Sequence, residues 1–134
     1  MTIWNAAHTD HLRLSKSDID GVSVLATEGE LDRWTAQSPS WTAAVTEACE
    51  TTVSTALVLD LQRLYFMDLV GLAALERFAR ALEERGRSLL LAGVRPRIRE
   101  FFRNSSMTMS AACLSLEEAL VAAAVPKKQL GAAA

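Results

Sequence analysis

Apolar and polar positions alternate in two short stretches near the start of the chain. Leu12 and Leu14 alternate with polar neighbours, and Val22, Val24 and Leu25 resume an apolar pattern after Asp20-Gly21. An Asp-Gly pair suits a two-residue hairpin turn, so the two stretches are predicted to pair as antiparallel strands. The second stretch runs out in Gly29-Glu30-Leu31-Asp32. Ser38-Pro39 then offers a helix cap followed by proline at the first helical position, and Trp41, Ala44, Val45, Ala48 and Cys49 recur at helical spacing. Ala56-Leu57-Val58-Leu59 is a continuous apolar run, interrupted by Asp60 before Leu61. Such a run predicts a strand covered on both faces, hence a central one.

The segment from Asp60 to Leu72 reads as the end of that buried strand, a short connection, and a helix that begins under an Asp68 cap. Met67 and Leu72 are placed as a hydrophobic staple, and Leu72, Leu75, Phe78, Ala79 and Leu82 form an apolar stripe that stops before Gly86. Ser88 to Ala92 is a further apolar strand, which closes a right-handed strand-helix-strand unit with a parallel pair. Pro96, Ile98, Phe101 and Phe102 describe a short helix, and Ser110 to Leu114 a last strand. Ser115-Leu116-Glu117-Glu118 fits a capping box, with Leu116, Ala119, Leu120 and Ala123 on one side of its helix. The order is β, β, α, β, α, β, α, β, α. Layer rules turn it into a single α/β domain with a mixed sheet of about four or five strands and about four helices packed on it. Residues 1–10 read as an irregular arm in which Ile3 and Trp4 could add an edge contact, residues 11–125 as the domain, and residues 126–134 as a fraying tail.

Composition narrows the functional classes. With 134 residues, half of them apolar, there is material for one core. A net charge of −2 with interspersed signs gives no electrostatic basis for nucleic acid. No apolar run approaches the ~20 residues that span a bilayer, and the N-terminus has no signal-peptide core, which predicts a cytoplasmic protein without membrane insertion. Cys49 and Cys113 are far apart and read as buried thiols. The only histidines are His8 and His11, and no Cys/His cluster forms, so no metal site and no cofactor is predicted. Arg95, Arg97, Arg99 and Arg103 read as a solvated helix face, with contact to an acidic partner or a lipid headgroup as the lesser alternative.

Four segments in this order and spacing resemble the STAS domains, the family of anti-sigma factor antagonists. They are Gly29-Glu30-Leu31-Asp32, the Asp60 to Leu72 segment, Gly86 with the strand Leu89-Leu90-Leu91-Ala92-Gly93, and Leu116-Glu117-Glu118-Ala119-Leu120. The resemblance runs from about Leu12 to Ala124. In that family a second acidic cluster reads Asp-Ser-x-Gly-Leu, and a partner kinase phosphorylates its serine. Here the cluster is Asp68-Leu69-Val70-Gly71-Leu72, so Leu69 stands where the family has its serine. The entry to the first helix, through Ser38-Pro39-Ser40, is a second departure.

The resemblance implies an interaction module, not an enzyme. It would bind an anti-sigma factor of the histidine-kinase-like ATPase type, free a sigma factor, and be insensitive to the kinase at position 69. The partner-binding residues it points to are Asp32, beside the switch, with Trp34, Met67, Asp68, Leu69, Val70 and Gly71. Residue by residue, Asp68 is equally a helix cap, Asp32 a turn residue, and Leu69 an extension of the buried stripe. Asp32 and Asp68 as an acid/base pair or a Mg²⁺ site lack any accompanying His, Lys or Asn constellation. Ser105 and Ser106 have no supporting motif and read as turn residues. The alternative reading is a non-enzymatic STAS subunit of a larger assembly, such as a lipid-transport ATPase or a stress-sensing scaffold. Homodimerisation is left open.

Overall fold

The computed structural model describes residues 11–104 and 115–124. The chain runs β1 (Leu12–Ile19), β2 (Val22–Leu31), α1 (Pro39–Thr51), β3 (Ala56–Met67), α2 (Leu69–Glu83), β4 (Ser88–Ala92), α3 (Pro96–Arg99), a 3₁₀ turn (Glu100–Asn104) and α4 (Leu116–Ala124). The four strands lie in chain order in one sheet. β1 and β2 are antiparallel across the Asp20-Gly21 turn, where both residues have positive φ as a tight hairpin demands. The pairs β2–β3 and β3–β4 are parallel, so β3 is central as its apolar run predicts. The predicted strand at Ser110 to Leu114, the arm at 1–10 with Ile3, Trp4 and His8, the serines at 105 and 106, Cys113, and the tail at 126–134 lie outside the described residues.

The sheet has two unequal sides. Its larger core joins Leu12, Leu14, Leu25, Leu57, Leu59, Leu61, Leu64 and Met67 to α1, α2 and the α3 region. On the other side a smaller cluster, Val22, Val24, Ala56, Val58 and Ala92, is covered by Ala119 and Ala123 of α4. Trp41 of α1 meets Phe78 of α2 edge to face, with ring centroids 6.1 Å apart, which locks the two helices over the sheet. Ser38 caps α1 by accepting from the Trp41 N–H, and Ser115 and Glu118 form the reciprocal capping box of α4. Cys49 is buried and unpaired, and its burial pushes the thiol up from its ordinary pKa, the wrong direction for a reactive thiolate.

One prediction needs correction. Sequence reasoning places a connection between the third strand and the second helix, but β3 continues to Met67 and runs directly into the Asp68 cap. The cause is two irregularities in the β2–β3 ladder. From Ala26 to Glu28 on β2 the partners move from Asp60 to Arg63, and from Gly29 to Glu30 they move from Leu64 to Phe66. Each shift inserts one extra residue into β3. The simple two-residue alternation is thereby broken, and Leu61, Leu64 and Met67 all reach the core at a spacing of three. A strict alternation would have turned one of them outward.

Candidate functional site

The ends of β2 and β3 lie side by side, with Leu31 opposite Met67, so the segments that follow them begin as neighbours. After β2 the chain turns through residues 32–38. Asp32 organises that turn: its Oδ1 accepts from the backbone N–H of Trp34 at 2.9 Å and of Thr35 at 3.0 Å. The buried Thr35 hydroxyl accepts from the Asp32 N–H and donates to the Glu30 carbonyl, each at 2.9 Å. Such side-chain-to-backbone bonds are the usual chemistry of a tight turn. Partial burial pushes the Asp32 carboxyl up, but the N–H groups of Thr35 and Trp34, the Thr35 hydroxyl and the nearby His11 outweigh it, so its pKa lies below the ordinary value of 3.8.

A depressed folded-state pKa means that the ionised carboxylate stabilises the fold above the unfolded value and that this contribution disappears as pH falls through the lower, folded value. Wild type and Asp32→Asn are therefore expected to differ in urea midpoint at neutral pH and to converge below about pH 4. Midpoints that stay equally separated in acid would refute the role assigned to this carboxylate.

Asp68 joins the turn to α2. Its Oδ1 accepts from the Gly71 N–H at 2.9 Å, which is the helix cap, while its Oδ2 accepts from the Arg33 N–H at 3.0 Å. The capping residue is thus also the clasp that holds the 32–38 turn against the helix start. Asp68→Ala is expected to cost about 1–2 kcal/mol, the scale of a lost cap, and to raise amide exchange at both Gly71 and Arg33. Protection lost at Gly71 alone would refute the bridging role.

Gly71 permits this closeness. A Cβ on it would stand 2.1 Å from the Leu31 carbonyl oxygen and 2.9 Å from Met67 Cγ, so the first turn of α2 rests directly on the end of β2. Gly29, with φ of +113°, plays a similar part at the other side of β2, where a Cβ would meet the His11 carbonyl oxygen at 2.1 Å. These contacts give the glycines of the two sequence segments a physical reason.

The residues singled out by sequence separate into two sets. Leu69 is 70 % exposed and Trp34 71 % exposed. The Arg33–Asp68 bond brings their backbones to the same end of the molecule. Asp32 and Asp68 are half-buried between them. Met67, by contrast, is only 2 % exposed and lies in the main core with Leu57, Leu59 and Leu61, and Gly71 is buried beneath the helix start. Val70 packs partly against the core. Met67 and Gly71 therefore position the surface without presenting side chains on it, and of the two readings of Leu69 the structure selects the exposed one.

Sequence reasoning missed Tyr65 and Phe66, 57 % and 49 % exposed, because an apolar stretch of a central strand reads as buried. It also missed Arg33, whose guanidinium lies 4.7 Å from the Trp34 ring centroid. Arg95, Arg97, Arg99 and Arg103 are all exposed, as a solvated face predicts, and three of them make separate contacts of their own. Arg95 lies 4.4 Å over the Tyr65 ring and donates to the Gln62 carbonyl at 3.0 Å, Arg99 donates to the Val94 carbonyl, and Arg103 pairs with Glu100. Among the described residues no group of three or more His, Cys, Asp or Glu could hold a metal ion, and no helix is long and apolar enough to cross a membrane.

Comparison with known proteins finds the STAS domain over residues 13–119. Among solved structures, an anti-sigma factor antagonist from Mycobacterium paratuberculosis superposes with a TM-score of 0.70 at 26 % identity, covering 87 % of this chain and 97 % of that one. The Bacillus cell fate determinant SpoIIAA in its phosphorylated form superposes with a TM-score of 0.61 at 22 % identity, covering 81 % and 97 %. A murine anion transporter of the solute carrier 26 family shares the fold with a TM-score of 0.63 at 19 % identity, over 80 % of this chain and 18 % of the transporter. No curated protein matches the sequence significantly.

Proposed function

The chain belongs to the STAS domain family, and on that premise we propose that it is an anti-sigma factor antagonist: a non-enzymatic cytoplasmic protein that binds an anti-sigma factor of the histidine-kinase-like ATPase type and so regulates sigma-factor-dependent transcription. The observation that carries this reading is the exposed start of α2, where Leu69 and Trp34 stand in solvent on a turn and helix clasped by Asp68. The likeness to the mycobacterial antagonist over nearly its whole length supports it. Binding needs no catalysis, since two proteins compete for a third.

Leu69 gives the proposal its particular form. A leucine has no hydroxyl to accept a phosphoryl group, and Val70, the next residue, has none either. The antagonist is therefore permanently competent, and its supply sets the response. The test is a pull-down with the tagged protein in ATP or ADP, followed by reconstitution with each kinase recovered and its sigma factor. The expected result is release of the sigma factor that persists after long incubation with ATP. Release that decays with ATP, as the kinase turns over, would refute the permanent state. Recovery of transporter or scaffold subunits with no such kinase, and elution far above 14.6 kDa on gel filtration, would favour a STAS subunit of a larger assembly.

A further inference from the structure

Exposed apolar side chains are concentrated on this molecule. Of the six large ones among the described residues, Trp34, Tyr65, Phe66 and Leu69 belong to the segments at the ends of β2 and β3, and only Val53 and Val121 lie elsewhere. β2, β3 and β4 run parallel, so the segments that follow them open at the same end of the sheet. Arg33 follows β2 and Arg95 follows β4, and each guanidinium lies over one of the exposed aromatic rings.

The charges at this end are unequally available. The Asp68 carboxylate receives one backbone N–H on each oxygen, so both oxygens are engaged by the turn and the helix cap, while the two N–H groups that reach Asp32 share its Oδ1. The guanidiniums of Arg33 and Arg95 are in neither of the ion pairs found among the described residues, which join His11 to Glu30 and Arg103 to Glu100. A guanidinium stacked on a ring is pre-oriented and keeps edge N–H donors for a carboxylate. Arginine and tryptophan are also the side chains that most often dominate binding at a protein interface.

Resting on the antagonist reading, we propose that the partner surface recognised here is acidic with an apolar centre: carboxylates of the anti-sigma factor meet Arg33 and Arg95, and its apolar side chains cover Trp34, Phe66 and Leu69. Asp68, bonded through both oxygens, shapes the surface and does not recruit a cation from the partner. Association should then slow as salt rises, since the attraction is between opposite charges at an exposed rim.

The experiment uses the full chain and the purified histidine-kinase-like ATPases of the same genome, titrated one by one by calorimetry. For a kinase that binds, Arg33→Glu is expected to raise Kd at least tenfold and Arg33→Glu/Arg95→Glu further, with charge reversal of a kinase carboxylate restoring affinity. Arg33→Glu is the fold-neutral variant, because Asp68 is held by the Arg33 backbone N–H and not by its side chain. A Kd unchanged in both variants, with binding still abolished by Leu69→Asp, would overturn the charge assignment and leave the antagonist reading standing. No binding by any kinase to the wild type would overturn the antagonist reading and this inference with it.

Discussion

Replacing Leu69 with serine is expected to convert a chain that takes no phosphate at this position into one that its partner kinase labels. Leu69 is the first residue of α2 and is 70 % exposed, so its side chain contributes little to the core. The substitution should leave stability within about 0.5 kcal/mol of wild type, as exposed replacements usually do. Serine would place a hydroxyl in solvent directly after the cap. A phosphate there carries a charge of about −1.5 to −2 beside the half-buried carboxylates of Asp32 and Asp68. The helix N-terminus offsets part of that repulsion, and the remainder falls on whatever partner covers the surface. Binding should therefore weaken as label accumulates. The measurement is the intact mass of the variant with ATP and the kinase, alongside calorimetric affinity before and after. A variant that folds and binds the kinase, yet acquires no label from a kinase that phosphorylates its own serine-bearing antagonist, would refute the assignment of position 69.

Gly71→Ala is expected to destabilise the fold by about 3 kcal/mol, at the upper end of what overpacking costs, and to abolish partner binding. In an open helix the same change would stabilise by up to about 1 kcal/mol, because glycine is the poorer helix former. Here the added methyl would lie 2.1 Å from the Leu31 carbonyl oxygen, with Met67 Cγ at 2.9 Å on another side. Leu31 sits at the end of a strand hydrogen-bonded to two neighbours, and Met67 is fully buried, so neither can withdraw cheaply. The helix start must move, and with it the Asp68 clasp on the Arg33 N–H. A urea midpoint equal to or above that of wild type would show that the close approach is not what glycine is for at this position.

Periodicity identified most of the elements and their neighbours. The alternation at Leu12 and Leu14, the Asp20-Gly21 turn, the Ser38-Pro39 helix start and the Ser115 to Glu118 capping box are local patterns, and local dihedral and hydrogen-bond preferences suffice to read them. The exposed side chains of the site were harder. Tyr65 and Phe66 look like strand interior, and the irregular pairing with β2 that keeps Tyr65 out of the main core, which simple alternation from Leu61 would have it enter, leaves no mark in the order of apolar and polar residues. Met67 keeps the core-facing parity of Leu57, Leu59 and Leu61, because the two insertions cancel by the time the strand reaches it, and it lies away from the surface on which sequence reasoning had placed it.

What the sequence by itself determined is the family, the α/β architecture, the central place of β3, and the absence of a hydroxyl at positions 69 and 70, because each depends on residue identity and on spacing along the chain. What only the tertiary structure decided is which of these side chains face solvent. Arg33 and Asp68 are far apart in sequence, and that the Asp68 carboxylate holds a backbone N–H of the turn as well as one of its own helix start follows from Leu31 lying opposite Met67. A side chain's availability depends on what the rest of the chain brings to it, and that is fixed by strand register and by the approach of α2 to the β2 carbonyl.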